Sequence, residues 1–263
     1  MVHCYMCDKD VEKFKTNSHV IPKCLLKPIK ENGKYVLVDN VKKENKYTGN
    51  EIIGNFICDA CEKKTRKDDA FAKEFFIDKK FFEISTTRFM TSDGLIDLKN
   101  AIKDFYEFET VEVFEERAFQ NFKLFVLSVL LREYCYQKVT RNTAIIPDHH
   151  LEKLRNIYHY INIYDLDSYY PIMMNKEILL DTTTFYPYKT RNKGINSLKF
   201  MVMGYRILTY IDKREISNIC FRNNIITKDN FKCFVLKYHP RFIKSIKKSL
   251  NNNEKLGKLR NKN

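Results

Sequence analysis

The chain has 263 residues, 44% of them hydrophobic, and a formal net charge of +14 at pH 7. This composition supports a packed core and excludes a wholly disordered chain. The longest apolar stretch, residues 122–131, is interrupted by Lys123, so we expect no membrane span and no membrane partner.

The excess of positive charge favours a polyanionic partner, because a cationic surface releases counterions when it binds a polyanion. Nucleic acid is the first candidate. The same abundance of lysine, asparagine and isoleucine is also typical of proteins from AT-rich genomes. Charge therefore indicates a class of partner without excluding this compositional explanation.

Two Cys-x-x-Cys pairs, Cys4 with Cys7 and Cys58 with Cys61, frame the amino-terminal region. Such pairs hold tetrahedral zinc, because each supplies two thiolates from one tight turn. Spacing alone leaves three alternatives: two unrelated pairs, redox-active cysteines or coincidence. Disulfides are disfavoured, because the start of the sequence lacks the pattern of a secretory signal and we expect a cytoplasmic location. We predict a structural zinc ion with these four ligands.

Short strands and helical segments are predicted to alternate over residues 1–90. Glycine and proline are absent for more than thirty residues after Asp59, and apolar side chains recur there at helical spacing. The predicted elements are a strand at 11–15, a helical turn at 23–27, a strand at 34–39, a loop at 40–50, a strand at 51–57 and a helix from 59 to about 82.

Helices are predicted to dominate residues 91–161, and strands the residues that follow. The strongest helical pattern covers 114–136, and Asp148 is expected to cap a further helix after Pro147. The predicted elements are helices at 95–108, 114–136 and 149–161, then strands at 169–174, 178–188, 198–211 and 232–238.

We therefore predict an α+β protein with three parts. Residues 1–90 form a treble-clef zinc module. Residues 91–240 form a helical domain with a small antiparallel sheet. Residues 241–263 form a basic tail, either a helix that follows phosphates or a frayed end.

Three motifs together resemble the HNH endonucleases, a ββα-metal family built on a treble clef. They are the Cys4 pair, the segment Ser-His-Val-Ile-Pro-Lys at residues 18–23, and the Cys58 pair followed by Glu62. Within that family they resemble a bacterial and phage subgroup with a Ser-His-x-Ile-Pro-Lys core and a Cys-x-x-Cys-Glu ending. The resemblance covers residues 4–72 with specific motifs.

The resemblance implies a general base at His19, which would take a proton from the attacking water. It also implies a catalytic Mg²⁺ or Mn²⁺ ion, with Glu62 and Asp69 as oxygen ligands. Glu62 stands where the family usually carries histidine. Asn55, with Asn17 in reserve, is the nearest counterpart of the family's middle asparagine.

Each of these residues also has a structural interpretation. His19 is also compatible with a buried histidine that steadies the turn before Pro22. Glu62 is compatible with a carboxylate favoured at the amino-terminal end of a helix. Asp69 is compatible with a solvated helix residue. The alternatives stay open at the level of sequence.

The predicted function is metal-dependent hydrolysis of DNA phosphodiester bonds by an HNH-like endonuclease. The resemblance suggests a setting in phage defence or a mobile element, with the region after residue 90 available to a protein partner. The alternative is a non-catalytic zinc-dependent nucleic-acid-binding module, or an interaction subunit of a larger complex.

Overall fold

The structure is a computed structural model, and it describes residues 1–29, 35–39, 44–48, 51–83, 106–163, 165–177, 183–192, 194–212 and 225–238. Its elements mix helices and strands, which confirms the predicted mixture of α and β structure. The α-helices are α1 (Lys23–Leu26), α2 (Asp59–Phe76), α3 (Phe119–Arg141) and α4 (Asp148–His159).

Two short antiparallel pairs of strands precede α2. The first pair is β1 (Val2–Cys4) with β2 (Lys9–Val11). The second pair is β3 (Ser18–His19) with β6 (Ile53–Gly54), in which Ser18 lies opposite Gly54. The turn after β1 and the first turn of α2 carry the two cysteine pairs.

The other ten strands of the described chain belong to one sheet, and two of them, β4 and β5, also precede α2 in the chain. Five of its strands run antiparallel in the order β10, β11, β12, β9 and β13, whereas β14 joins β9 and β4 joins β10 in parallel. The sheet strands are β4 (Tyr35–Asp39), β5 (Glu44–Thr48), β7 (Phe82–Glu83), β8 (Tyr106–Phe114), β9 (Ile172–Glu177), β10 (Thr183–Asn192), β11 (Ile195–Val202), β12 (Tyr205–Tyr210), β13 (Ile225–Ile226) and β14 (Lys232–Tyr238).

Helix α3 lies at the centre of the core, because most of its circumference is apolar and buried. Helix α2 packs against it with one face, and that face includes Phe71, Phe75 and Phe76. Buried residues of α2, α3, α4 and the sheet belong to one hydrophobic cluster. The fold therefore fixes the cysteine-bearing segments directly against the central helix.

Several sequence predictions of individual elements were wrong. Residues 44–48 form β5 where a loop was expected, and residues 106–108 belong to β8 where a helix was expected. The expected strand at 11–15 lies earlier, as β2, and the strand at 51–57 shortens to β6. A polar sequence such as residues 44–48 gives little indication of a strand. Pairing within the sheet, rather than intrinsic propensity, determines whether such a segment becomes one.

Other predictions were confirmed in outline. Helix α2 begins at the second cysteine pair and ends before the strand containing Phe82. The span 198–211 divides into β11 and β12, because Met203 and Gly204 both adopt positive φ and make a tight turn. The basic tail and residues 95–105 lie outside the described residues. The predicted division into three parts, with boundaries after residues 90 and 240, stays a prediction.

Candidate metal centre and the neighbouring histidine

Cys4, Cys7, Cys58 and Cys61 converge on one point, although more than fifty residues separate the two pairs along the chain. Their four sulfur atoms all lie within 4.8 Å of one another. Three of the four side chains are buried, and Cys7 is half-buried. The structure thus brings together all four sequence-predicted zinc ligands.

The spacing of the sulfur atoms fits a tetrahedral zinc site. A zinc–sulfur bond of about 2.3 Å places the sulfurs of a regular tetrahedron about 3.8 Å apart. The sulfurs of Cys7 and Cys58 are 3.8 Å apart, and those of Cys4 and Cys61 are 3.9 Å apart. The backbone N–H of Cys58 also donates to the sulfur of Cys4 at 3.4 Å, as expected of an outer contact that steadies a thiolate ligand.

The thiol pKa values show why this cluster favours a cation. The hydrogen bond between Cys4 and Cys61 lowers the pKa of Cys4 to about 4 and raises the pKa of Cys61 far above the usual range. Burial raises the pKa of Cys7 to about 12. A negative charge on one sulfur of this cluster therefore opposes a second one. A divalent metal removes that opposition, because metal binding deprotonates the ligating thiols.

Helix α4 braces the first cysteine turn through backbone carbonyls. Arg155 donates to the carbonyl of Tyr5 at 2.7 Å, and a ring nitrogen of His159 lies 3.1 Å from the carbonyl of Met6. The Arg155 guanidinium also lies 2.9 Å from the carboxylate of Asp8. The turn between Cys4 and Cys7 is therefore held from outside as well as by its own ligands.

His19 forms a close pair with Glu51. The Nε2 atom of His19 lies 2.9 Å from Oε2 of Glu51, with side chains 19% and 6% exposed. A carboxylate only accepts hydrogen bonds, so Nε2 is the donor. In the neutral ring the remaining nitrogen, Nδ1, then carries the lone pair. The arrangement is that of a base oriented by a carboxylate.

Asp69 pairs with Arg132, a residue of α3. Its carboxylate receives hydrogen bonds at 2.9 Å from Nη2 and 3.4 Å from Nη1 of Arg132. Nη1 also donates to the backbone carbonyl of His19 at 3.2 Å. Arg132 is buried, with 2% of its side chain exposed. One guanidinium thus ties α2 to the strand that carries His19.

Glu62 lies in the first turn of α2 and is half-buried. Its carboxylate makes no hydrogen bond or ion pair with another described residue, which leaves its oxygens available to a ligand. Within the described part of the chain, the four cysteines form the one group of three or more potential metal ligands. His19, Glu62 and Asp69 do not meet as such a group.

The two asparagine candidates contact each other. The backbone N–H of Asn17 donates to Oδ1 of Asn55 at 3.2 Å, and both side chains are exposed. This contact closes the turn before β3 against the end of β6. Asn55 therefore supports the strand pair on which His19 lies.

The paired histidines of α4 lie apart from this site. His149 is exposed, whereas His150 is 9% exposed and lies 3.3 Å from the hydroxyl of Tyr170. Adjacent residues of a helix point to different faces, so one ring is buried and the other is not. The predicted cap was wrong, because Asp148 is the first residue of α4, makes no cap hydrogen bond and receives one from Tyr134.

Sequence reasoning missed Glu51 and Arg132. The signal for Glu51 was its place two residues before Ile53, which lies opposite His19 in the antiparallel register. Alternate residues of an extended segment share a face, so the strand pairing would have placed Glu51 near His19. Arg132 had no comparable signal, because only packing of α3 on α2 brings it to Asp69.

Comparisons with family models, curated proteins and solved structures found no match to this chain. Among the described residues, no helix combines the length and apolar character needed to cross a membrane. The interpretation of the site therefore depends on its own geometry.

Proposed function

We propose that this protein is a metal-dependent, HNH-like endonuclease that hydrolyses phosphodiester bonds in DNA. The observation that carries the proposal is the His19–Glu51 pair beside the β3–β6 strand pair, because β6 is followed by helix α2, which begins at a four-cysteine cluster. Two antiparallel strands followed by such a helix are what a ββα-metal site in a treble clef requires. The net charge of +14 supports a polyanionic substrate.

In the proposed reaction His19 acts as general base. Nδ1 of its neutral ring accepts a proton from water as the water oxygen attacks the phosphorus, and the bond to the leaving 3′ oxygen breaks. Glu51 holds the opposite ring nitrogen and stabilises the positive charge that develops on the ring. Arg132 fixes the backbone of His19 through its carbonyl.

Glu62 is the residue that we propose to hold a catalytic Mg²⁺ or Mn²⁺ ion. When bound, such an ion neutralises charge on the scissile phosphate and on the leaving oxygen. The residues fit this role, because Mg²⁺ is often bound by one or two carboxylates together with waters and substrate phosphates. Zinc in the four-cysteine site is proposed to have a structural role, since four protein ligands leave no open position.

A second candidate is a zinc-dependent module that binds nucleic acid without cutting it, alone or as a subunit of a larger complex. The observation that favours it is the engagement of Asp69 by Arg132, together with the lack of a second group of metal ligands in the described residues. In that case the His19–Glu51 pair would stabilise β3 and β6.

A plasmid-cutting assay separates the two candidates. Purified protein is incubated with supercoiled plasmid and Mn²⁺ or Mg²⁺, beside His19→Ala and the control His149→Ala, which removes an exposed histidine of α4. We expect a loss of about 10²- to 10⁴-fold for His19→Ala, the usual contribution of a general base, and no loss for the control.

Equal cutting by the wild type and His19→Ala would overturn the proposed mechanism. Retained DNA binding without any cutting by the wild type would favour the non-catalytic module.

A further inference from the structure

Helix α2 presents an exposed face that is strongly basic. Its buried residues face α3, and its outer positions recur at intervals of three and four residues, as one face of a helix requires. The outer face carries four cations and one carboxylate, namely Lys63, Arg66, Lys67 and Lys73 with Asp59, beside the small residues Ala60 and Ala70. We call the four cations the basic face of α2.

The charge of this face is not a general property of the helices. The exposed positions of α4 are Asp148, His149, Glu152 and Lys153, which carry two carboxylates and one lysine. An exposed helix of this chain is thus not basic by default, despite the overall charge. The basic face of α2 is a local concentration.

The cations of this face remain available to a ligand. Lys63 lies 2.6 Å from the carboxylate of Asp59, and Lys73 lies 3.6 Å from that of Asp78. All four residues of these two ion pairs are exposed to solvent. Exposed ion pairs of this kind are weak and exchange readily. Arg66 and Lys67 pair with no other described residue.

The basic face is linked to the proposed base through Asp69 and Arg132. Asp69 is adjacent in sequence to Ala70, which lies between Lys67 and Lys73 on the exposed face. Asp69 is held by the same guanidinium nitrogen of Arg132 that donates to the carbonyl of His19. A polyanion lying along the exposed side of α2 would therefore pass close to β3.

We propose that the basic face of α2 binds the sugar-phosphate backbone of duplex DNA and sets the path of the duplex past His19. The choice of duplex DNA as the polyanion rests on the proposed nuclease function. Lys63 and Lys73 are ten residues apart, which corresponds to about 15 Å of helix. Over that length a duplex presents about nine phosphate charges. The contacts are to phosphates, so the binding is independent of base sequence.

The test is a binding titration with a short fluorescent DNA duplex in EDTA-free buffer without added divalent metal, followed by anisotropy at several salt concentrations. The test variant is Arg66→Gln with Lys67→Gln. The matched control is Lys9→Gln with Lys13→Gln, which removes the same charge from exposed positions near the first cysteine pair. Glutamine has nearly the helix propensity of arginine and lysine, so the fold of α2 is kept.

The test variant is expected to bind about tenfold or more weakly near 0.1 M salt, and the slope of log Kd against log salt is expected to fall by about two. The control should keep both the wild-type affinity and slope. Equal losses in both variants, or wild-type binding by the test variant, would overturn the proposal. So would binding of single-stranded RNA through these residues without binding of duplex DNA.

The outcome is separate from that of the cutting assay, because no divalent metal is added and no bond is cut. His19→Ala is expected to bind the duplex as the wild type does. If the basic face binds DNA but the wild type never cuts plasmid, the surface assignment stands and the nuclease proposal fails. If plasmid is cut in a His19-dependent manner but the double variant binds normally, the surface assignment fails alone.

Discussion

The Nε2 atom of His19 lies 2.9 Å from a carboxylate oxygen of Glu51, and only 6% of the Glu51 side chain is exposed. A carboxylate withdrawn from water in this way orients the imidazole that donates to it. The pair gives the proposed base a fixed orientation that His19 alone would lack.

Replacing Glu51 by glutamine should slow DNA cutting while preserving the fold. Glutamine keeps the shape and one acceptor oxygen but loses the charge that stabilises the protonated ring. We expect a loss of about 10- to 100-fold, by analogy with the outer partners that orient metal-ligating histidines. The measurement is the initial rate of plasmid nicking in Mn²⁺. Glu152→Gln, on the exposed side of α4, is the control, and a similar loss there would count against the pair.

Removal of one cysteine should abolish the proposed binding of zinc at the four-cysteine site. Cys58→Ser is expected to lose zinc and much of its thermal stability, because metal binding and folding are coupled at structural sites. Zinc is measured by metal analysis of the purified chain, with one ion per chain expected in the wild type. Cys24→Ser, outside the cluster, should keep its zinc. Full zinc content in Cys58→Ser would refute the four-ligand site.

The roles of Glu62 and Asp69 should separate in two substitutions. Asp69→Asn breaks the ion pair with Arg132, so we expect a loss of about 1–3 kcal/mol of stability, below the cost at a fully buried pair because Asp69 is partly exposed. The Mn²⁺ concentration for half-maximal activity should not change.

Glu62→Gln should show the reverse pattern. The exchange removes a charged oxygen ligand, so we expect the half-maximal Mn²⁺ concentration to rise about tenfold with little loss of stability. Metal titrations and urea denaturation of both variants provide the measurements. An unchanged metal requirement in Glu62→Gln, with a raised one in Asp69→Asn, would assign the ligand to Asp69 instead.

The stability of the protein should depend on pH through Asp68. Burial raises the pKa of this carboxyl from 3.8 to about 6, against a hydrogen bond from Tyr158 that lowers it. Between those values the folded state binds more protons than the unfolded state, so this contribution to stability falls as pH rises through that window. Asp68→Asn should remove the slope, which is at most about 1.4 kcal/mol per pH unit.

Urea denaturation of the wild type and Asp68→Asn at pH 5 and pH 7 checks this expectation. The variant should gain stability relative to the wild type between the two values, with both proteins loaded with zinc. A constant difference would show that the Asp68 carboxyl does not carry the shift.

The sequence was sufficient for the features that depend on local pattern. The paired cysteines predicted the four-cysteine cluster, and the absence of Gly and Pro after Asp59 predicted α2. Contacts between distant segments were not readable in the same way. Predicting the contact of Glu51 with His19 would have required the register of β3 with β6. Predicting the contact of Arg132 with Asp69 would have required the packing of α3 on α2. A buried arginine also contradicts the usual exposure of that residue type, so its role emerges only from the fold.

The aromatic side chains of α2 connect the cysteine-bearing region to helix α3 and to the sheet region. The Phe75 ring lies 5.3 Å from that of Phe122 and 5.7 Å from that of Phe231, and the Phe76 ring lies 5.2 Å from that of Tyr205. Thermal unfolding of the amino-terminal segment would therefore also break these ring contacts with α3 and the sheet region. Calorimetry of the zinc-loaded chain should accordingly show a single unfolding transition. Extraction of zinc should lower the midpoint temperature of that transition for the whole molecule.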